Sequence, residues 1–156
     1  PRPLAQFLTE DWERRALVLK REDADYYRDL LTFDDVNAFL SRNDIRYPYL
    51  RLVKNGRELP LVDYADDFVY GSNIFPGLLD NDKVFHHYAE GATLSFQIFQ
   101  RCMEELSSFC NALEARLRFQ TQINIFVTPA ESKGFTAHYD DHSFFILQVS
   151  GKKHWK

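Results

Sequence analysis

The sequence predicts an α+β fold that is mainly β, with late antiparallel strands forming a barrel or sandwich decorated with helices. Residues 99–117 repeat apolar side chains at three- and four-residue steps, which is typical of a helix with one buried face. Residues 122–127 and 144–149 follow as strand-like segments. Ser150-Gly151 is a tight-turn signal after the second of them. Late strands that follow mixed helices indicate this fold class.

Composition favours one domain over residues 1–156 and excludes several classes of partner. Apolar residues make up 45% of the 156 residues and aromatic residues 15%, enough to build a core. The formal net charge of -4 gives no basic surface for nucleic acid, so no direct nucleic-acid binding is expected. The sequence contains no apolar segment of membrane length.

The two cysteines point to a reducing compartment. Cys102 and Cys110 are eight residues apart on what the pattern predicts to be one helix. That spacing corresponds to about 12 Å along the axis, which is too far for a disulfide. Reduced thiols indicate an intracellular protein, and we expect a cytoplasmic one.

The N-terminal part is expected to contribute helices and the first strands. A helical turn is predicted at residues 7–13 and a strand at 16–19, where a β-branched residue lies in an apolar run. Thr32 and Asp35 fit a capping box that starts a helix over residues 33–42. Residues 49–53 alternate as a strand, and Asn55-Gly56 then predicts a hairpin or loop.

The middle of the chain is expected to be less regular. Residues 59–85 have no clean period and are predicted to form a long loop with helical turns. His86 and His87 are assigned to extended chain, where neighbours point to opposite faces, so they cannot easily share a metal ion. A β-branched and aromatic run at residues 93–98 predicts the next strand.

The motif with chemical content is His138-Tyr139-Asp140. On an extended backbone, residues i and i+2 point to the same side, so His138 and Asp140 can aim an imidazole and a carboxylate at one point. These are two members of the 2-His-1-carboxylate triad that holds Fe(II) and leaves positions open. The triplet also arises easily by chance in a chain with five His and 23 acidic residues.

An iron site that uses 2-oxoglutarate also needs a cation for the distal carboxylate of that cosubstrate. Lys153 follows the motif across one predicted strand and one turn, so a hairpin can fold it back toward His138. Asn124 lies on the strand before the motif and can donate an amide hydrogen bond into the same space. By spacing alone, an ordinary solvated lysine in the cluster KKHWK is the simpler interpretation of Lys153.

Residues 124–155 resemble a known family. The resemblance is carried by N-x-F-x-T-P from Asn124, G-F-x-x-H-x-D-D from Gly134, and F-x-L-Q-x-x-G-x-K-x-W from Phe145. This pattern is similar to the Cupin_4 group of JmjC-type oxygenases, which includes the ribosomal oxygenases. The resemblance implies a cupin-like double-stranded β-helix with N-terminal and inserted helices.

The resemblance also implies a role for each candidate residue. His138 and Asp140 fall on iron-ligand positions, Lys153 on the position that binds the distal carboxylate of 2-oxoglutarate, and Asn124 on the wall of that pocket. Phe126 stands where several relatives carry a tyrosine, so one phenolic hydrogen bond to the cosubstrate is missing.

The distal histidine ligand of the family comes from a later barrel strand, beyond Lys156. We therefore expect a chain that is truncated within the barrel and incomplete at its C-terminus. His142 is an alternative third ligand only if its strand continues straight, and His154 is a weaker one.

The sequence thus predicts an Fe(II)- and 2-oxoglutarate-dependent oxygenase that hydroxylates a protein side chain. The resemblance makes a ribosomal protein the expected partner and a homodimer the expected assembly, and no membrane association is expected. A cupin-like metal-binding or interaction module without turnover is the main alternative. A relative that acts on a peptide or small metabolite would keep the same motif, and a histone demethylase is a third reading.

Overall fold

The computed structural model describes residues 2–42 and 44–154, which form a mixed α/β structure with antiparallel sheets. The helices are α1 (Leu4–Glu10), α2 (Phe33–Leu40), α3 (Asn81–Ala89) and α4 (Glu104–Leu117). The strands are β1 (Leu50–Lys54), β2 (Arg57–Glu58), β3 (Ala65–Tyr70), β4 (Asn73–Leu79), β5 (Thr93–Phe96) and β6 (Ile125–Val127). Two 3₁₀ turns lie at Leu61–Asp63 and Phe99–Arg101.

One four-stranded sheet and one hairpin make up the β structure of the described residues. The larger sheet has the order β2-β1-β5-β6, and every neighbouring pair in it is antiparallel. β3 and β4 pair with each other in a separate two-stranded sheet. The predicted α+β class with antiparallel strands is therefore confirmed.

The core lies where the central strands meet α2 and the chain that follows β5. All four residues of β5 are buried, and Leu50 and Leu52 of β1 are fully buried beside them. Phe99 is also buried, and the ring of Phe39 from α2 packs edge to face against it, with centroids 4.7 Å apart. Each fully buried side chain of this size contributes about 1.5–3 kcal/mol through removal of apolar surface from water.

Local signals in the sequence account for several elements. The Thr32 hydroxyl accepts a hydrogen bond from the Asp35 backbone N–H at 3.2 Å, and the Asp35 carboxylate accepts from the Thr32 N–H at 2.7 Å. The predicted capping box is thus confirmed as the start of α2. Asn55 and Gly56 have φ values of 52° and 80°, the left-handed pair that joins β1 to β2 in a tight hairpin.

Two predicted strands are wrong. Residues 16–19 are not in a strand, and Val18 there is 79% exposed. Residues 144–149 are not in a strand either, and Phe144, Phe145 and Ile146 are each about half exposed or more. Strand propensity depends on packing against a neighbouring strand, and neither segment pairs with one among the described residues.

Three further expectations are corrected. Residues 59–85 are not a long loop, because they contain the β3–β4 hairpin and the start of α3. His86 and His87 lie on α3 rather than on extended chain. The helix expected over residues 99–117 is interrupted: Ile98 has φ of 55°, a 3₁₀ turn follows, and α4 begins at Glu104. Cys102 therefore precedes α4, while Cys110 lies within it, and both thiols are free.

No helix in the described part of the chain is long and apolar enough to cross a membrane.

The cap of α2 makes a stability prediction. We expect Thr32→Ala to lower the free energy of unfolding by about 1 kcal/mol, because the Asp35 backbone N–H loses its partner at the helix start. The matched control is Thr9→Ala, whose exposed hydroxyl bonds back to carbonyls in its own helix. Urea unfolding of both variants measures the difference, and equal stability of the two would show that the cap contributes nothing.

Candidate metal centre

Strand β6 precedes the His138 motif, and its side chains alternate between the core and the exposed side of the sheet. Ile123, Ile125 and Val127 are partly buried and pack against the core. Asn124 and Phe126 alternate with them and lie on the exposed side. Pairing with β5 fixes this register, since Phe126 lies opposite Ser95. The sheet therefore presents Phe126 toward the segment that contains His138.

The loop after β6 is held by close backbone approaches. The hydroxyls of Thr128 and Thr93 share a hydrogen bond of 3.0 Å. Gly134 passes so near to the sheet that an added Cβ would lie 3.3 Å from the Thr93 hydroxyl. Phe135 then forms a bridge with Gly56 of the β1–β2 turn. These contacts hold the loop against the edge of the sheet, directly before the His138-Tyr139-Asp140 motif.

Gly56 is a positioning residue that the sequence reasoning did not single out beyond its turn. A Cβ at this position would collide with Cγ2 of Thr136, and its φ of 80° already disfavours other residues. The Asn55-Gly56 pair therefore does more than close a hairpin, because it lets residues 135–136 lie on the turn. No signal in the sequence connects residues so far apart along the chain.

His138 and Asp140 come together as predicted, although on an irregular loop rather than a strand. His138 Nε2 and Asp140 Oδ2 are 4.0 Å apart, and their side chains are 56% and 43% exposed. The two side chains thus bring a nitrogen and an oxygen donor to one place, where they would hold a metal ion that takes both ligand types. The pair is accessible to a ligand from solvent.

A hydrogen bond at Nδ1 fixes the orientation of the His138 ring. His138 Nδ1 lies 2.8 Å from the Thr136 carbonyl oxygen. Because a carbonyl oxygen can only accept, Nδ1 carries a proton, and Nε2 is the nitrogen that faces Asp140 and can offer a lone pair to a metal ion. Metal-ligating histidines in proteins are commonly oriented by this kind of second hydrogen bond.

The described residues do not provide a third ligand. No group of three or more His, Cys, Asp or Glu able to hold a metal ion occurs in the part of the chain that the structure describes. His142 directs Nδ1 to the carboxylate of its neighbour Asp141 at 3.2 Å. Neither His142 nor His154 therefore joins the pair. The donors His138 and Asp140 fit a metal, but they supply two positions of its coordination shell.

Aromatic rings connect the histidine to Lys153. The Phe135 ring lies 5.7 Å from the His138 ring and 5.5 Å from the Phe126 ring. Lys153 Nζ lies 5.6 Å from the centroid of Phe126. Partial burial lowers the pKa of Lys153 below the usual lysine value. The lysine thus contacts the same aromatic pair that contacts His138, although no strand hairpin brings it there.

The side chain of Asn124, predicted to line the cosubstrate pocket, makes hydrogen bonds that stabilise the fold. Its side-chain oxygen accepts hydrogen bonds from the Ile98 backbone N–H at 3.2 Å and from the Gln122 side chain at 2.8 Å. The first of these supports the left-handed residue that ends the β5 segment. The carbonyl end of Asn124 is therefore committed to the fold, and a role toward a ligand falls to its amide NH₂.

Comparison with known proteins agrees with these features. Residues 94–156, which include β6, His138, Asp140 and Lys153, match the JmjC domain family. The resemblance to the JmjC-type ribosomal oxygenases is confirmed. The candidate metal pair and the lysine lie within the segment that matches the JmjC domain family.

Similarity to individual relatives extends over the whole chain. The chain is 28% identical over 156 residues to the bifunctional lysine-specific demethylase and histidyl-hydroxylase NO66 of Drosophila grimshawi, covering 100% of this chain and 20% of that protein. It is 29% identical over 151 residues to ribosomal oxygenase 1 of Gallus gallus, covering 97% and 24%. Ribosomal oxygenase 1 of Rattus norvegicus is 28% identical over 156 residues, covering 100% and 25%. The chain spans about a fifth to a quarter of the length of these relatives.

The contact between the β1–β2 turn and Thr136 predicts unequal costs for two similar substitutions. Gly56→Ala and Gly71→Ala both place a side chain at positive φ, but an added Cβ at Gly71 meets nothing within 4 Å. We expect Gly71→Ala to cost about 1–2 kcal/mol of backbone strain and Gly56→Ala to cost more, because Thr136 must also move. Urea unfolding measures both. Equal costs would show that the turn and the motif loop are not in contact.

Proposed function

We propose that the protein is an Fe(II)- and 2-oxoglutarate-dependent oxygenase that hydroxylates a protein side chain. The observation that supports this most directly is the His138–Asp140 pair, in which Nε2 lies 4.0 Å from the Asp140 carboxylate while Nδ1 donates to the Thr136 carbonyl. An imidazole and a carboxylate are the ligand types of the non-haem iron triad. The pair lies in the segment that matches the JmjC domain family.

Each candidate residue has a defined task in this proposal. His138 and Asp140 hold the iron, and the Thr136 carbonyl keeps the imidazole in its metal-binding tautomer. Lys153 pairs with the distal carboxylate of 2-oxoglutarate, and the amide of Asn124 donates a hydrogen bond beside it. Iron with 2-oxoglutarate and O₂ supplies the oxidation that converts a C–H bond to C–OH.

The aromatic residues shape the space between these groups. Phe126 and Phe135 lie edge to face between His138 and Lys153, with ring centroids 5.5 Å apart. Apolar rings beside Lys153 displace part of its surrounding water, which would strengthen an ion pair between Lys153 and a carboxylate. Phe126 offers no hydroxyl, so the protein must bind 2-oxoglutarate through Lys153 and Asn124 without a phenolic hydrogen bond.

The fold proposal follows from the same site. We place residues 1–156 in one JmjC/cupin-like domain with a double-stranded β-helix. A functional iron site needs a third protein ligand, and the described residues provide two. The proposal therefore requires a further ligand from outside the described residues.

The substrate proposal rests on the relatives. Their names describe a histidyl-hydroxylase, a lysine-specific demethylase and ribosomal oxygenases. We propose a side chain of a ribosomal protein as the substrate, in a cytoplasmic and homodimeric enzyme that does not bind nucleic acid directly. Demethylation of a lysine is the neighbouring reaction, since it also begins with hydroxylation of a C–H bond.

A binding module without turnover is the second candidate. The two-donor set among the described residues and the half-exposed His138 and Asp140 favour it, because a metal held there would exchange readily. The same residues would then hold a metal or a partner without chemistry. Oxidation of 2-oxoglutarate separates the two functions.

Charge-transfer spectroscopy of the full-length protein tests the oxygenase proposal. With Fe(II) and 2-oxoglutarate under anaerobic conditions, we expect a visible metal-to-ligand band that is lost in His138→Ala. His86→Ala is the matched control, because His86 is exposed on α3 and far along the chain from the motif. Lys153→Ala should keep the band but require more 2-oxoglutarate. Absence of the band in the wild type, with iron shown not to bind, would refute the oxygenase and leave the binding module.

The lowered pKa of Lys153 makes the binding of 2-oxoglutarate depend on pH. Partial burial lowers the pKa of Lys153 in the free protein, so its ammonium loses its proton at a lower pH than an ordinary lysine. The affinity for 2-oxoglutarate should therefore fall as the pH rises through a value below 10.5. Lys153→Arg keeps its charge at all accessible pH values and should remove this decline. A wild-type affinity that stays constant through pH 10.5 would show that the Lys153 ammonium does not bind the cosubstrate.

A further inference from the structure

The β3–β4 hairpin exposes the most concentrated apolar surface among the described residues. Five large apolar side chains near its tip are each at least 39% exposed: Phe68, Val69, Tyr70, Ile74 and Phe75. The base of the hairpin is buried at Ala65 and Leu79, so the strands leave the core and project from it. Exposed apolar patches on this scale mark interaction sites in soluble proteins.

Both faces of the hairpin are apolar. Phe68 lies opposite Phe75, with ring centroids 6.2 Å apart, and Tyr70 lies two residues further on the same face. Val69 lies opposite Ile74 on the other face. An isolated two-stranded hairpin is marginally stable in water, so a partner that covers either face would stabilise it. We name the five side chains and their two strands the hairpin surface.

The charge around the hairpin surface determines which partner suits it. Residues 62–82 contain five aspartates and no lysine or arginine. Asp63 and Asp67 are exposed on either side of Ala65, and Asp82 is exposed where α3 begins. Lys83 from the same helix pairs with Asp66 at 2.8 Å, which neutralises one of the five. Arg46 lies over the Phe75 ring at 5.5 Å, on the β4 side, where it also bridges Leu78. The negative potential that a cationic partner would meet on approach therefore lies on the β3 side.

The outer backbone edge of β3 can also pair with a further strand. Among the described residues, β3 pairs with β4 and with no other strand, so its outer edge leaves backbone groups for a further strand. Extended peptides add to such edges through main-chain hydrogen bonds, while alternate side chains contact the faces. An extended segment with cationic and apolar residues matches the edge, the faces and the charge together.

We propose that the hairpin surface docks an extended, lysine- or arginine-rich polypeptide segment that also carries apolar side chains. The segment lies along β3, its apolar side chains cover the aromatic face, and its cations face the aspartates. This inference goes beyond the proposed function and does not depend on metal or on 2-oxoglutarate.

Fluorescence anisotropy with synthetic peptides tests the proposal in the 156-residue chain. The probe is a labelled peptide of alternating lysine and valine, compared with peptides of alternating glutamate and valine and of alternating lysine and serine. We expect the lysine–valine peptide to bind at least about tenfold more tightly than either, because each comparison removes one half of the match. Its affinity should fall with added salt.

Two pairs of variants locate the binding. Val69→Ser/Tyr70→Ser removes the two most exposed apolar groups of β3, with Val18→Ser/Tyr26→Ser as the control at exposed positions elsewhere. Asp67→Asn removes one charge near the edge, with Glu22→Gln as its control at another exposed acid. We expect weaker binding in the hairpin variants, about tenfold for the serine pair, and unchanged binding in both controls. Asp67→Asn leaves the apolar surface intact, so it tests the site even if the serine pair unfolds.

Three results would overturn the proposal. The first is equal affinity for the glutamate–valine peptide, and the second is wild-type affinity in both hairpin variants. The third is concentration-dependent dimerisation of the wild-type chain that Val69→Ser/Tyr70→Ser abolishes in sedimentation velocity. That outcome would identify a second copy of the chain as the occupant.

Discussion

The close approach between the β1–β2 turn and residues 135–136 is the constraint on which the candidate metal centre depends. Gly56 lies against Thr136 without room for a Cβ. Phe135, which precedes Thr136, forms a β-bridge with Gly56 in the same turn. Thr136 in turn accepts the hydrogen bond that fixes the His138 tautomer. A loop without strand partners can thus hold one imidazole in a defined orientation. The geometry comes from packing against a glycine turn rather than from a sheet.

The candidate site combines an imidazole of fixed orientation with a carboxylate that is free to move. The imidazole is tied through Nδ1, whereas the carboxylate of Asp140 is 43% exposed and can adjust to an ion. Phe126 and Phe135 fill the distance to Lys153 with rings instead of hydrogen bonds. In the proposed function, such a site would recognise charge at both ends, a metal at one and a carboxylate at the other, across an apolar middle. These are the demands that a dicarboxylate cosubstrate chelating a metal would make.

Local signals in the sequence were sufficient for elements whose cause is local. Thr32 and Asp35 predicted the start of α2, and Asn55-Gly56 predicted the hairpin, because caps and tight turns are decided within four residues. The meeting of His138 with Asp140 was also predicted, though for a strand that the structure replaces with a loop. Residues 144–149 were predicted to be a strand and are not one. Residues 59–85 were predicted to be a loop and contain the strands β3 and β4. Whether an apolar segment becomes a strand depends on a pairing partner, which a single sequence does not show.

Nitrogen NMR of the histidine side chains tests the central claim most directly, because it reports the tautomer and the ligand atom separately. In the metal-free protein, we predict that His138 carries its proton on Nδ1. Added Zn²⁺ should then shift Nε2 of His138 and leave the rings of His86 and His87 unchanged. A proton on Nε2 of His138, or a zinc response at His86 and His87 without one at His138, would contradict the account.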